Sequence, residues 1–317
     1  MRVLLTDYAW PDLNIERDIF AEAGIDLVIA DATDPKGLAK AAADVDAIMT
    51  NWADVPQSVI SASPKLKIIS RLGVGLDNID VPFATQQGIV VTNVPDYCLV
   101  EVAEHTIAML LALGRNVAWH HHETKCGRYD LKSGPPLSRI EGQTLGIIGL
   151  GNIGRLVAEK GKALGLYVLA ASRTRREPPP GTQFCGLDEL LSASDYVSLH
   201  LPLTDETRHA IGAEQFARMK PTAYLINTAR GGLIDHAALT AALAENRIAG
   251  AALDVQDPEP PDLALPLYND PRVIVTPHVA FVSRQSLADL RKRAARQVAD
   301  CLTGQRPENV VNPEVLA

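Results

Sequence analysis

The amino-acid sequence predicts an α/β protein with two domains, each a parallel sheet covered by helices. The chain has 317 residues, about twice a common domain length. Short apolar runs alternate with longer segments of helical spacing from end to end. Aromatic residues make up only 5% of the chain, so Ala, Val, Leu and Ile must build the cores, as in parallel-sheet proteins.

Predicted strands occur in both halves of the chain. In the first hundred residues they are residues 3–6, 26–30, 47–50, 67–70 and 89–92. In the second half they are residues 144–149, 167–171, 196–200, 223–227, 248–253 and 273–276. Ala- and Leu-rich segments with helical spacing lie between many of them, which predicts βαβ units.

Two longer helices and a linker interrupt this alternation. Residues 100–119 predict one helix that is apolar over most of its surface, and residues 283–302 predict another near the C-terminus. Residues 132–142 contain a Gly-Pro-Pro sequence and are typical of a linker.

Composition argues against several classes of protein. A net charge of −8 is unsuited to a surface that binds nucleic acid. No apolar stretch reaches the ~18 residues of a membrane span, and the stretch before Asp7 is too short for a signal peptide. Cys98, Cys126, Cys185 and Cys301 are scattered, which favours free thiols in a reducing compartment. We therefore expect a cytoplasmic protein that binds neither nucleic acid nor membrane.

A glycine pattern, G-x-G-x-x-G at residues 149–154, lies between a predicted strand and a predicted helix. Gly149 permits the tight turn, Gly151 lets the backbone approach a pyrophosphate, and Gly154 lets the helix pack against the sheet. The first N–H groups of that helix would bind the anion. This context predicts a dinucleotide-binding turn rather than a plain glycine turn.

The segment after the next predicted strand suggests which dinucleotide is bound. The strand ends without the acidic residue that holds the adenosine ribose of NAD. Ser172, Arg173, Thr174, Arg175 and Arg176 follow it instead. Hydroxyl and guanidinium groups suit a 2′-phosphate, which Arg binds through charge-assisted hydrogen bonds. We therefore predict NADP, with NAD as the alternative, against the simpler interpretation of a solvated basic loop.

Three further residues suit the reduction of a 2-oxo acid, the reaction that the family resemblance given below implies. Such a reaction needs a cation for the substrate carboxylate, an acid for the developing alkoxide and a group that keeps this acid protonated. Arg230 and His278 each follow a predicted strand, at the carboxyl edge where α/β sheets bind ligands. A carboxylate such as Glu259 would favour the charged form of the histidine. Each residue alone is ordinary, but their joint placement predicts a catalytic site.

His120, His121 and His122 do not predict a metal site. Neighbouring residues on a helix point in different directions, and no Cys or acidic cluster with zinc-like spacing accompanies them. We expect a polar end of the helix and no bound metal.

Six further segments, in order along the chain, resemble the D-isomer-specific 2-hydroxyacid dehydrogenase family. This family includes glyoxylate and hydroxypyruvate reductases, phosphoglycerate dehydrogenases and the C-terminal-binding-protein corepressors. The segments are residues 71–80 (RLGVGLDNID), 101–106 (EVAEHT), 200–204 (HLPLT), 227–232 (NTARGG), 254–260 (DVQDPEP) and 276–280 (TPHVA). The resemblance covers almost the whole chain and is specific for the family rather than for a substrate.

The resemblance implies a role for each matching residue. Arg230 would bind the substrate, His278 would be the acid and base, and Glu259 would orient and charge that histidine. Val74 and Gly75 would hold the substrate carboxylate through their amides, and Asp254 would hold the nicotinamide carboxamide. Together with the glycine turn and the basic segment, this gives the expected cofactor contacts: Thr106, Gly149, Gly151, Asn152, Ile153, Gly154, Ser172, Arg173, Thr174, Arg175, His200, Pro202, Thr207, Thr228, Ala229, Asp254 and His278.

The resemblance also implies a discontinuous domain arrangement. A Rossmann cofactor domain, residues 99–283, would be inserted into a flavodoxin-like substrate domain made of residues 1–98 and 284–317. Both would be doubly wound, with the active site in the cleft between them. Hydride would pass between NAD(P)H and a small 2-oxo acid, and the long helix after Val100 would build a homodimer.

The sequence leaves the substrate open. Gln256 stands where many members of the family have an aromatic residue, and Phe281 stands where some have Trp. We predict a glyoxylate or hydroxypyruvate reductase. A phosphoglycerate dehydrogenase is an alternative, for which Arg71 or Lys67 could supply a second cation. A dinucleotide-binding protein similar to the corepressors is another.

Overall fold

The computed structural model describes residues 1–174 and 176–316. The chain divides into two compact units, which we call the terminal unit (Met1–Tyr97 with Ser283–Ala317) and the central unit (Cys98–Val282). Each unit contains one sheet in which all paired strands are parallel. The predicted fold class, two parallel-sheet α/β domains, is confirmed.

The elements follow in chain order. The strands are β1 Arg2–Leu5, β2 Asp26–Ile29, β3 Ala47–Thr50, β4 Ile68–Arg71, β5 Val90–Thr92, β6 Thr144–Ile148, β7 Tyr167–Ala171, β8 Thr182–Phe184, β9 Tyr196–Leu199, β10 Tyr224–Asn227, β11 Gly250–Leu253 and β12 Val273–Val275. The α-helices are α1 Asn14–Glu22, α2 Pro35–Ala42, α3 Gln57–Ile60, α4 Val81–Gln86, α5 Leu99–Gly114, α6 Val117–Lys125, α7 Asn152–Ala163, α8 Leu187–Ala193, α9 Ala213–Arg218, α10 His236–Ala244, α11 Pro266–Asn269 and α12 Arg284–Leu302.

In the terminal unit the strand order is β2-β1-β3-β4-β5, which is the flavodoxin-like order. The C-terminal helix α12 packs against this sheet and against α1. Its buried residues Leu290, Ala294, Val298 and Leu302 recur every four positions and so form one apolar stripe. This stripe explains why a helix from the end of the chain belongs to the unit built by the first hundred residues.

In the central unit the strand order is β12-β11-β10-β9-β6-β7-β8. Strand β6 lies between β7 and β9, so the order reverses there, and ligands of doubly wound sheets bind at such a point. Strand β8 was not predicted, because its three residues, Thr-Gln-Phe, contain no apolar run. The other predicted strands are present in both units to within about two residues at each end.

The single helix predicted over residues 100–119 is wrong. Helix α5 ends at Gly114, and a separate helix, α6, begins at Val117. Asn116 between them is left-handed, with φ 49°, and its side chain donates to the carbonyl of Pro135 at 2.8 Å. Asn tolerates this conformation better than most residues. The apolar pattern of the sequence continues across this break, so the pattern did not reveal where the first helix ends.

A buried ion pair joins α1 to α12. The guanidinium of Arg291 donates through Nε and Nη2 to the two carboxylate oxygens of Glu16, at 2.8 and 2.7 Å. Glu16 is 0% exposed, and Arg291 also lies 5.4 Å from the ring centroid of Trp10. A bidentate arginine is the partner that such a carboxylate needs, because an unpaired buried charge is costly.

We expect Arg291→Met to lower the free energy of unfolding by about 3 to 5 kcal/mol, because Glu16 would keep a buried charge without its partner. Guanidinium unfolding followed by circular dichroism measures this loss. Arg2→Met is the matched control, since Arg2 pairs with Asp44 where both side chains are exposed. An exposed pair contributes little. Equal losses in the two variants would contradict the role assigned to burial.

Candidate active site

The glycine turn after β6 requires glycine at two positions. Gly149 has φ 96°, and an added Cβ would lie 2.4 Å from the carbonyl oxygen of His200. An added Cβ at Gly154 would lie 2.2 Å from the carbonyl oxygen of Gly149. Strand, turn and helix α7 are therefore packed too closely for any side chain at these positions.

The same turn leaves an open cradle at Gly151. A Cβ added there would meet nothing within 4 Å, so this face of the turn is accessible. Gly151 is also the N-cap of α7, a helix of twelve residues, and no side chain caps the first N–H groups of that helix. Uncapped N–H groups at a helix start suit an anion such as a pyrophosphate. The residues present therefore fit a dinucleotide.

Two loops lie on either side of this turn. In the sheet, Ile148 pairs with Ala171 of β7 on one side and with Leu199 of β9 on the other. The basic segment that follows β7 therefore lies on one side of the turn, and the loop that starts at His200 lies on the other. Both loops contain residues predicted to bind the cofactor.

The loop after β9 is held by one threonine. The Thr207 hydroxyl accepts from the N–H of Thr204 at 2.8 Å and donates to the carbonyl of Pro202 at 2.7 Å. These bonds close a short turn and fix its direction. Thr207 and Pro202 were predicted as cofactor contacts, and the structure shows them shaping the loop.

The basic segment after β7 is exposed. The Ser172 hydroxyl donates to the carbonyl of Thr174 at 3.1 Å. Nη1 of Arg173 lies 2.9 Å from Oε2 of Glu206 in the loop after β9. Glu206 was not singled out from the sequence, because it lies far along the chain from the basic segment. Arg175, also predicted to bind the cofactor, lies outside the residues that the structure describes.

Strand β10 ends in an asparagine that shapes the turn carrying Arg230. The Asn227 amide donates to the carbonyl of Arg230 at 2.8 Å and accepts from the N–H of Ala229 at 3.0 Å. A Cβ at Gly231 would lie 2.0 Å from the carbonyl of Gln256, so the turn packs directly against the segment after β11. Asn227 could have been predicted, since Asn often bonds to backbone two residues on.

Glu259 and His278 form a hydrogen-bonded pair. Nδ1 of His278 lies 2.8 Å from Oε2 of Glu259, and Oε1 of Glu259 accepts from the N–H of Gln256 at 2.6 Å. Burial acts to raise the pKa of Glu259, but the hydrogen bond and charge of His278 oppose it. The Gln256 N–H and the charge of Arg230 act in the same direction, and the pKa of Glu259 lies below its ordinary value. All three predicted catalytic residues are thus brought together.

Asp254, at the end of β11, fixes the loop that carries His278. Its carboxylate is buried and accepts from the Thr276 hydroxyl at 2.5 Å and from the N–H groups of Val279 and Ala280 at 2.9 Å each. Its carbonyl accepts from the N–H of His278 at 2.7 Å. His278 is held there with φ 53°, a left-handed conformation that few residues adopt without such support.

Helix α5 contributes two side chains to the same region. Nε2 of His105 lies 3.1 Å from the Thr276 hydroxyl and 3.6 Å from the carboxylate of Asp254. The Thr106 hydroxyl lies 2.8 Å from the Thr228 hydroxyl. Thr106 is 0% exposed, so it contacts Thr228 from the buried side. His105 was missed as a site residue, because its partners are more than 140 positions away in the sequence.

The two departures from the family pattern lie next to the pair formed by Glu259 and His278. The ring of Phe281 meets the ring of His278 edge-on, with 5.8 Å between centroids. Gln256 is buried, and its amide donates to the carbonyl of Leu253 at 3.3 Å. Phe281 therefore contacts the histidine ring, whereas the Gln256 side chain bonds back to the end of β11 and its N–H bonds to Glu259.

The predicted substrate loop of the terminal unit follows β4. The carbonyl of Val74 accepts from the Asn93 amide at 2.7 Å, and the carbonyl of Gly73 accepts from the N–H of Val94 at 3.0 Å. Val74 itself is 37% exposed, so this segment is fixed at its edges and accessible at its tip, next to Gly75.

The described residues contain no group of three or more His, Cys, Asp or Glu side chains that could hold a metal ion. His120, His121 and His122 lie within α6 rather than at its end. In the described part of the chain, no helix is both long and apolar enough to cross a membrane.

His200 is a titratable group beneath the glycine turn. Its Nε2 lies 2.9 Å from the hydroxyl of the buried Ser198, and its N–H donates to the carbonyl of Ile148 at 2.8 Å. Burial lowers the pKa of His200 to about 4. The ring is therefore neutral at neutral pH, with no positive charge of its own beside the turn.

We expect acid to destabilise the protein partly through His200. Below a pH of about 6.5 the unfolded chain binds a proton at this residue that the folded chain binds only near pH 4, so stability falls as pH falls between these values. The full effect is roughly 3 kcal/mol. Denaturant unfolding of wild type and His200→Gln at pH 7 and pH 4.5 measures it. A pH dependence that is unchanged in the variant would contradict this assignment.

The chain is similar to known proteins over almost its whole length. Residues 107–280 match the family model described as the NAD binding domain of D-isomer specific 2-hydroxyacid dehydrogenases. The glyoxylate reductase of Aeropyrum pernix is 38% identical over 96% of this chain and 97% of its own length. The D-3-phosphoglycerate dehydrogenase of Methanocaldococcus jannaschii is also 38% identical, over 98% of this chain but only 59% of its own length.

A solved structure extends the similarity to the fold. The D-lactate dehydrogenase of Aquifex aeolicus, solved with NAD and lactic acid, has 31% sequence identity and a TM-score of 0.86 over 98% of this chain and 99% of its own. The family model covers more than half of the chain, all within the central unit, and the relatives and this solved structure cover both units. The resemblance seen in the motifs is therefore confirmed: this chain belongs to the D-isomer specific 2-hydroxyacid dehydrogenase family and is an oxidoreductase that acts on a CH–OH donor.

Proposed function

We propose that this chain is an NADPH-dependent reductase of small 2-oxo acids, with glyoxylate and hydroxypyruvate as substrates. The observation that carries the proposal is the hydrogen bond between Nδ1 of His278 and Glu259, at 2.8 Å, with Arg230 close enough to lower the pKa of Glu259. An acid, its orienting carboxylate and a cation for the substrate thus meet at the carboxyl edge of one sheet.

The Glu259 carboxylate would determine which ring nitrogen of His278 reacts. A carboxylate only accepts hydrogen bonds, so Nδ1 of His278 carries the proton that it donates to Glu259. The opposite nitrogen, Nε2, would then give its proton to the carbonyl oxygen of the substrate during reduction and take it back in the reverse reaction. The negative charge of Glu259 stabilises the protonated ring that this step needs.

Arg230 would bind the carboxylate of the substrate through two parallel hydrogen bonds, which a lysine could not form. In the terminal unit, the amides of Val74 and Gly75 remain predicted substrate contacts. The reduced nicotinamide, when bound, supplies the hydride that adds to the substrate carbonyl. Asp254 would help to hold its carboxamide, in addition to its observed role in the histidine loop.

Glyoxylate and hydroxypyruvate are preferred to phosphoglycerate because of where two basic residues lie. Arg71 is 7% exposed, and its Nη1 donates to the carbonyl of Leu72 within its own loop. Lys67 precedes β4, at the amino end of the strand, whereas ligands of such sheets bind at the carboxyl ends. Neither is available as a second cation for a substrate phosphate, although a phosphoglycerate dehydrogenase is among the relatives.

NADP is preferred to NAD because β7 is followed by Ser172, Arg173 and Thr174 rather than by a carboxylate. Arg173 is highly exposed, so its guanidinium can turn towards a 2′-phosphate without breaking a buried contact. Arg175 would add a second cation. We also propose that the protein acts in the cytoplasm, consistent with the absence of a disulfide bond among the cysteines of the described residues.

The assay that tests this proposal follows the absorbance of reduced nicotinamide with glyoxylate, hydroxypyruvate, pyruvate and 3-phosphohydroxypyruvate, each with NADPH and with NADH. We expect the highest kcat/KM with glyoxylate or hydroxypyruvate and NADPH. Highest activity with 3-phosphohydroxypyruvate would contradict the substrate assignment, and turnover with NADH alone would contradict the choice of NADP.

His278→Asn is the matching variant for this assay. We expect kcat to fall by about 10² to 10⁴, because the proton donor is lost. Binding of the reduced nicotinamide cofactor should be retained, which a change in the fluorescence of the cofactor measures. His121→Asn, on the exposed surface of α6, is the control and should retain activity. A His278→Asn protein with the kcat of the wild type would contradict the proposed mechanism.

We propose that the protein is a homodimer formed through α5, α6 and the segment that follows. Supporting this, Val100 is 51% exposed and Val117 is 56% exposed, while Tyr129 and Leu131 are 95% and 96% exposed. Several large apolar side chains exposed within one stretch of the chain favour an interface there. Sedimentation equilibrium should give twice the chain mass, and Leu131→Glu should shift the equilibrium towards monomer. A monomeric wild type at micromolar concentration would refute this assembly.

A further inference from the structure

The pair formed by Arg173 and Glu206 bridges the two loops beside the glycine turn. Arg173 follows β7 and Glu206 lies in the loop after β9, and the strand between β7 and β9 is β6, which leads into the turn. The 2.9 Å contact therefore joins the two sides of the place where a dinucleotide would bind. No other ion pair among the described residues links these two loops.

At this position Glu206 can supply the carboxylate that is missing from the end of β7. Doubly wound domains that bind NAD hold the adenosine ribose hydroxyls with a carboxylate from the end of the second strand. Here that strand is β7, and no carboxylate follows it within five residues. Glu206 brings a carboxylate to the basic segment from the opposite loop, where the turn closed by Thr207 fixes its backbone.

The same carboxylate would oppose the 2′-phosphate of NADP. Arg173 can pair with Glu206 or with the phosphate, and the phosphate offers three acceptor oxygens and nearly two negative charges. Both side chains of the protein pair are largely exposed, at 89% and 77%, so the existing contact is weak and the phosphate can displace it. Glu206 then remains beside a second anion, which lowers the affinity for NADPH.

We propose that Glu206 is a specificity-determining residue of the cofactor site: it accepts hydrogen bonds from the ribose hydroxyls of NADH and competes with the 2′-phosphate of NADPH for Arg173. This rests on the proposed dinucleotide site and not on the identity of the oxo acid. The basic segment favours NADPH over NADH, and Glu206 reduces the difference between the two affinities. NADH therefore remains a cofactor that the protein can bind.

The test is a titration of the purified protein with NADPH and with NADH, monitored by nucleotide fluorescence or by calorimetry, without substrate. The variants are Glu206→Gln, Arg173→Gln and the double variant. Asp205→Asn is the matched control, because it removes the same charge from the neighbouring position and Asp205 has no ion pair among the described residues. Nucleotide binding is measured directly, so the outcome does not depend on turnover.

We expect Glu206→Gln to raise the affinity for NADPH about two- to five-fold, the range of an exposed ion pair. Its affinity for NADH should fall about three- to ten-fold, through loss of a charge-assisted hydrogen bond. In the Arg173→Gln background, removal of Glu206 should no longer favour NADPH, since the shared partner is gone. Asp205→Asn should change neither affinity beyond a factor of about two.

Two results would overturn the inference. One is that Glu206→Gln binds NADPH and NADH with the same affinities as Asp205→Asn. The other is that Glu206→Gln changes the affinities for NADPH and NADH in the same direction. Failure of the proposed function is distinguishable from either. A wild type that binds both dinucleotides but reduces none of the oxo acids would leave Glu206 assigned and the substrate proposal wrong.

Discussion

The buried carboxylate of Asp254 is the interaction on which the candidate site depends. Three donors from the loop after β12 converge on it: one hydroxyl and two backbone N–H groups. A carboxylate with 1% exposure requires such donors, because burial without them would be costly. The same bonds hold His278 in a left-handed backbone conformation, which directs its ring towards Glu259. A requirement of folding, to satisfy a buried charge, thus positions the proposed catalytic acid.

Close backbone packing performs the corresponding task at the glycine turn. Gly149 lies against the carbonyl of His200, and Gly154 lies against the carbonyl of Gly149, with no space for a Cβ at either. Strands β7 and β9 therefore end directly beside the turn, and their loops face each other across it. The contact between Arg173 and Glu206 is a consequence of this strand order, since the two residues are 33 positions apart in the sequence.

Sequence patterns were sufficient to predict elements that depend on residues close together in the chain. Alternation of apolar runs predicted eleven of the strands, and the glycine spacing predicted the start of α7 within its first turn. Patterns failed where a short segment depends on distant neighbours. Strand β8 has too little apolar character to be recognised, but it gains its hydrogen bonds from β7. At the break, the Asn116 side chain donates to the carbonyl of Pro135, 19 positions along the chain, and this contact exists only in the folded protein.

The two α/β units, the dinucleotide turn and the family could be recognised from the amino-acid sequence, because each depends on residue type at short spacing or on motifs in a fixed order. The sequence also identified Arg230, Glu259 and His278 as residues that suit one reaction. The contacts that support these residues become visible only in the folded protein. His105 reaches the Thr276 hydroxyl, and Glu206 reaches Arg173, through strand order and loop packing. No local spacing encodes such contacts, because they join segments that meet only when the sheet has formed.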